Sequence, residues 1–126
     1  MKRYTIFLAV LMTSCTTPYD KGLKGVWQYV SGNYISENST TNMTSDNVKS
    51  IKIYGDNHYS LVTQIVSSDI FFAHSGLYNL DGDSYTESFK IHKNFEMIGD
   101  SATFKYQLIN NQLIICLLYT SPSPRD

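Results

Sequence analysis

Between Val48 and Ile115 the chain alternates polar and apolar side chains in short runs, and each run ends in a turn signal. A period of two sends successive side chains to opposite faces of a β-strand, so a chain written this way has to bury one face of an antiparallel sheet. Val48 to Tyr54 (VKSIKIY) runs into Gly55-Asp56-Asn57, and His58 to Val66 (HYSLVTQIV) then places Tyr59, Leu61 and Ile65 together. Ile70 to Leu80 (IFFAHSGLYNL) holds Gly76 in its interior, the mark of a bend or bulge. Asp81-Gly82 is a two-residue hairpin signal, and beyond it Tyr85, Glu87, Phe89 and Ile91 share a face. Ser101 to Ile109 aligns Ala102, Phe104, Tyr106 and Leu108 before Asn110-Asn111 turns the chain into Gln112 to Ile115. Upstream, Gly25 to Gly32 (GVWQYVSG) reads as a first strand with Trp27 and Tyr29 in phase. Asn38 to Asn47 (NSTTNMTSDN) is polar without apolar periodicity and reads as a loop, and Lys93 to Ile98 as one helical turn. No repeat and no sustained helical period occurs. Six or seven antiparallel strands joined by short turns make a meander, and closure is the usual way such a sheet removes its edges. The expected fold is all-β: a small antiparallel up-and-down barrel.

The two ends read differently from this body. Met1-Lys2-Arg3 is basic, Ile6 to Met12 is a short apolar run, and Thr13-Ser14 are small residues before Cys15. That is the layout of an export signal, too short for a permanent span. The placement of Cys15 resembles the lipobox of bacterial lipoproteins, with Met12 where leucine is usual. The resemblance implies lipidation of Cys15, a tether that runs on from it through Thr16 to Lys21, and a domain held at a membrane of the cell envelope. At the other end, one back-translation of Cys116 to Asp126 (CLLYTSPSPRD) resembles the transposase adapter of sequencing libraries. The expected organisation is therefore a lipoprotein signal peptide at 1–14, a tether at 15–24, the domain at 25–115, and an adapter-derived tail at 116–126 that truncates it.

Residues 15–115 carry 7 Lys against 10 Asp and Glu, a net charge of −3. With no basic cluster, nucleic acid is not an expected partner. Cys15 is spoken for and Cys116 lies in the tail, so no disulfide framework is expected. The core must come from packing, and eight Tyr, five Phe and Trp27 within residues 15–115 supply the material.

Several of these residues resemble a known family. Gly25-Val26-Trp27 matches the Gly-x-Trp signature of lipocalins, in which the Trp closes the barrel floor. Ile51 to Tyr59, Gly76 to Glu87, and Ile98-Gly99 before a strand bearing Phe104 are similar to lipocalin-like lipoproteins of unknown function from Gram-negative gut bacteria. The resemblance implies a last strand that pairs with the first. Here that strand is missing, so the barrel is expected to stay incompletely closed, with Cys116 to Tyr119 standing in as a continuation.

Chemical motifs are sparse. Asp81, Asp83 and Glu87 suggest calcium, but Gly82 between the aspartates makes a tight turn instead. His58, His74 and His92 are spaced so that neighbouring strands could gather them around zinc, though nothing in the spacing requires it. No nucleophile elbow, zincin helix or phosphate loop is present, so no enzyme activity, cofactor or metal is expected. Glu87 is in phase with Tyr85 and Phe89. It either points inward, where burial would raise its pKa and let it hold a polar head group, or lies on a reversed face, or pairs with a tyrosine hydroxyl. The expected function is binding of a small hydrophobic or amphipathic molecule by a monomer, lined by Tyr59, Leu61, Phe72, Glu87, Phe89, Phe104 and Tyr106, with Trp27 at the floor. The alternative is an envelope protein with a filled barrel that offers its outer surface to a protein partner.

Overall fold

The computed structural model describes residues 22–122. Cys15 and the rest of the expected signal and tether up to residue 21 lie outside them, as do the last four residues. Nine strands and one short 3₁₀ turn make up the described chain: β1 (Gly25–Gln28), β2 (Ser31–Ser36), β3 (Ser39–Thr44), β4 (Val48–Tyr54), β5 (His58–Ile65), β6 (Phe71–Asp81), β7 (Ser84–His92), the turn Phe95–Met97, β8 (Ser101–Ile109) and β9 (Gln112–Ser121). Seven of the strands form one antiparallel sheet in the order β1-β4-β5-β6-β7-β8-β9. This is the expected meander from β4 onward, and the sheet curls into an open half-barrel rather than a closed one. β1 and β9 are its edges, and Cys116 to Tyr119 does continue β9 against β8.

Turn chemistry sets the register. Gly82, at φ 60, is the first of the two residues between the paired Asp81 and Ser84, where a primed hairpin turn needs a positive φ. Asn110 and Asn111 both take positive φ, 48 and 62, between Ile109 and Gln112; asparagine tolerates this conformation better than any residue except glycine.

The segment at 38–47 departs from expectation. β2 and β3 form a separate two-stranded hairpin inserted between β1 and β4. None of its residues is buried, which is why it lacks an apolar period. Side chains hold it instead: Asn42 donates to Asn33 across the strands at 2.8 Å, and the Ser36 and Ser39 hydroxyls bond each other. The Tyr29 hydroxyl ties the hairpin down by donating to the Met43 carbonyl.

The second departure is in β7. Tyr85, Glu87 and Phe89 do share the concave face, but Ile91 is 68% exposed and His92 is buried. Ser75 pairs with Ile91 while Gly76 pairs with Phe89, so Lys90 is an extra residue and the phase reverses beyond it. Gly76 permits the bulge, because a Cβ there would sit 1.8 Å from the Ser88 carbonyl oxygen. Gly76→Ala should therefore cost about 2 kcal/mol or more, measured by urea unfolding at constant m-value, as an overpacked core position does. A midpoint unchanged from wild type would show that the backbone is not pinned there.

Candidate functional site

Residues directly opposite in an antiparallel pair point to the same face, so the register can be read across the concave side in rows. One row runs Trp27, Lys52, Leu61, His74, His92 over β1, β4, β5, β6 and β7. The next runs Tyr54, Tyr59, Gly76, Phe89. A third holds Tyr78, Glu87 and Ala102, and a fourth Leu80, Tyr85 and Phe104. The curl folds these rows onto one another. The core comprises Leu23, Tyr54, Tyr59, Tyr78, Tyr85, Phe89 and Ala102, with Trp27, Met97, Phe104, Tyr106 and Leu113 packed against it.

Across this interior the Lys52 ammonium of β4 contacts Oε1 of Glu87 on β7. The Glu87 side chain is fully buried and that of Lys52 is 12% exposed. Four rings surround the ammonium, with centroids at 5.2 Å (Tyr59 and Phe104), 5.4 Å (Tyr54) and 5.8 Å (Tyr85). Ring faces carry negative quadrupole charge and stabilise a cation that has lost its water. The carboxylate is less well served. Oε2 is buried without a hydrogen bond of proper geometry, and the Tyr85 hydroxyl is the neighbour that steadies it. Burial raises the Glu87 pKa against the pull of Lys52, and burial lowers that of Lys52 against the pull of Glu87.

Hydroxyls and imidazoles complete the polar interior. The Tyr54 and Tyr85 hydroxyls bond at 2.9 Å, and burial raises both phenols well above their ordinary range. The Tyr59 hydroxyl bonds His74 Nδ1 at 2.7 Å. His74 stacks on His92, and edge-on contacts from Phe72 and Phe89 enclose it. Burial, then the charge of Lys52, pushes the His74 imidazole down to about 4.

Of the residues expected to line a site, Tyr59, Glu87 and Phe89 are buried in this interior, and Leu61, Phe72, Phe104 and Tyr106 are half-buried along it. The inward alternative for Glu87 is the one realised, with a lysine as its partner. Trp27 stands on edge strand β1 and donates its indole N–H to the Leu23 carbonyl at 2.8 Å. It lines a pocket of ≈ 350 Å³ between β1 and the β8–β9 turn, with Gly25, Leu108, Asn110 and Asn111 opposite. That pocket marks the seam where the barrel stays open, one strand away from Lys52. Of the histidines, His74 and His92 come together while His58 is exposed, and among the described residues no three ligating groups gather.

Sequence reasoning missed Lys52. In VKSIKIY the isoleucines look like the buried face, yet Ile51 and Ile53 are 49% and 47% exposed while Val48, Lys52 and Tyr54 turn inward. The available signal was that Val48 and Tyr54 bracket Lys52 in phase, opposite Leu61 and Tyr59.

Two outcomes follow for stability. Lys52→Met or Glu87→Leu alone should cost about 3–5 kcal/mol, because each strands a buried charge, while the double variant should recover most of the loss. Additive losses in a thermodynamic cycle would remove the pair as an interacting unit. His74 stays neutral in the fold down to about pH 4, so protons bind the unfolded chain first and stability falls as pH drops from 6.5 toward 4. That limb is worth about 3 kcal/mol and should flatten in His74→Gln in a pH series of urea midpoints. An unchanged slope would place the acid sensitivity elsewhere.

Against known proteins, no curated protein and no solved structure gives a significant match. A family model described as a domain of unknown function, DUF4488, matches residues 22–125, which takes in every strand described above. The chain belongs to the DUF4488 family.

Proposed function

We propose that the half-barrel binds a small amphipathic molecule, its polar end at the Lys52–Glu87 pair and its apolar part along the concave wall of β8 and β9. The observation that supports this most directly is a buried ion pair one strand from an open seam. Such a pair is a poor device for stability, since hydrophobic residues of similar volume usually serve as well, and perturbed ionisable groups at a cleft are characteristic of sites. By register, Tyr106, Leu108, Leu113 and Ile115 continue the concave face outward from Phe104, and Leu108 and Ile115 are each 41% exposed. They give an apolar chain a wall to lie against. Lipidation at Cys15 would hold this module at a membrane of the cell envelope, and no helix among the described residues is long and apolar enough to cross one.

A second reading draws on the convex face. Val26, Ile51, Ile53, Val62 and Phe71 are exposed there, and a groove of ≈ 250 Å³ is lined by Tyr29 and Ser45 together with Ile51, Val62 and Phe71. A contiguous apolar patch of this kind suits a protein partner. The readings separate by experiment on the full chain. Trp27 is the single tryptophan, so dodecanol binding at the seam should shift its emission and saturate at one equivalent. Unchanged emission, together with loss of a recovered stoichiometric protein partner on Val62→Lys, would favour the convex surface instead.

A further inference from the structure

Resting on that binding role, we propose that the occupant is an amphipathic monocarboxylate whose head replaces the Glu87 carboxylate on Lys52, Glu87 leaving the ion pair by taking one proton from solvent. Charge balances: one carboxylate and one proton enter, the lysine keeps its charge, and Glu87 becomes a neutral acid.

The two halves of the pair are held unequally. Lys52 faces four rings besides Glu87, whereas Glu87 has Lys52, the Tyr85 hydroxyl beside it and a buried Oε2 that lacks a hydrogen bond of proper geometry. The anion is the partner that exchanges more readily. Ring faces repel anions, so an incoming carboxylate is steered to the side of the ammonium that Glu87 occupies and not to the sides covered by Tyr54, Tyr59, Tyr85 and Phe104. Two carboxylates cannot stay ionised on one buried lysine, and Glu87, whose side chain is fully buried, is the one that leaves the pair as a neutral acid. Lys52 neighbours Trp27 in its row, so the head group travels one strand spacing from the seam to reach it.

The surroundings isolate this proton. Facing the pair are Tyr54 from β4, Tyr59 from β5, His74 and Tyr78 from β6, Tyr85 from β7 and Tyr106 on β8. Burial keeps the Tyr54, Tyr59 and Tyr85 phenols protonated and His74 neutral near neutral pH, so none of these four supplies the charge change assigned to Glu87. The Tyr54–Tyr85 hydroxyl pair stands ready to accept the proton of the neutral acid as a hydrogen bond.

The test compares dodecanoic acid, dodecanol and dodecylamine on the full chain, followed by Trp27 emission and by calorimetry in two buffers of different ionisation enthalpy. At pH values above the folded Glu87 pKa the acid should bind with uptake of about one proton and its Kd should weaken about tenfold for each further pH unit, while dodecanol shows neither effect. Glu87→Gln should bind the acid at least tenfold more tightly one pH unit or more above the folded Glu87 pKa and lose the pH dependence. Acid binding with no proton uptake anywhere in a pH series on the wild type would overturn the inference even if the variant failed to fold. Preference for the amine would overturn it by making Lys52 the displaced partner. If dodecanol binds and the acid does not, the binding role stands and the carboxylate falls. If none of the three binds, the binding role itself fails.

Discussion

A lysine and a glutamate from strands three places apart in the sheet meet inside the curl, and the remaining interior is arranged around that meeting. Lys52 on β4 and Glu87 on β7 touch only because the sheet bends back on itself, and the same bend brings the Tyr54 and Tyr85 hydroxyls together. Removing two charges from water is expensive, and the aromatic rings about the ammonium offset part of the cost. The rings thus act twice. They supply apolar area to a small domain whose described residues hold one cysteine, and they form the medium in which one ion pair determines the local electrostatics.

The interior is graded. Beneath the pair, Tyr54, Tyr59 and Tyr85 are almost completely buried and bonded to partners of their own. Toward β8 and β9 burial thins, Phe104 and Tyr106 are half covered, and Leu108 and Ile115 reach solvent. One half-barrel thus has a filled base and a loosely covered seam.

Much of this fold was legible in the chain. The strands from β4 to β8, the turns at Gly82 and Asn110-Asn111, and the bulge at Gly76 all announce themselves through local chemistry. What was hidden depends on long-range pairing. The face of β4 cannot be chosen from VKSIKIY alone, because isoleucine on the convex side and lysine on the concave side invert the ordinary pattern. The inward turn of His92 follows from one extra residue at Lys90, which strict alternation through Ile91 cannot express. The β2–β3 hairpin was invisible for a simpler reason, since strands held by their own amide and hydroxyl side chains carry no hydrophobic rhythm.

That hairpin sits in the connection between β1 and β4 and contributes no buried side chain. Its sequence is therefore free to drift, lengthen or acquire new surface chemistry while the interior stays constant. A family built on this plan can diversify what it displays outward without altering what it holds within.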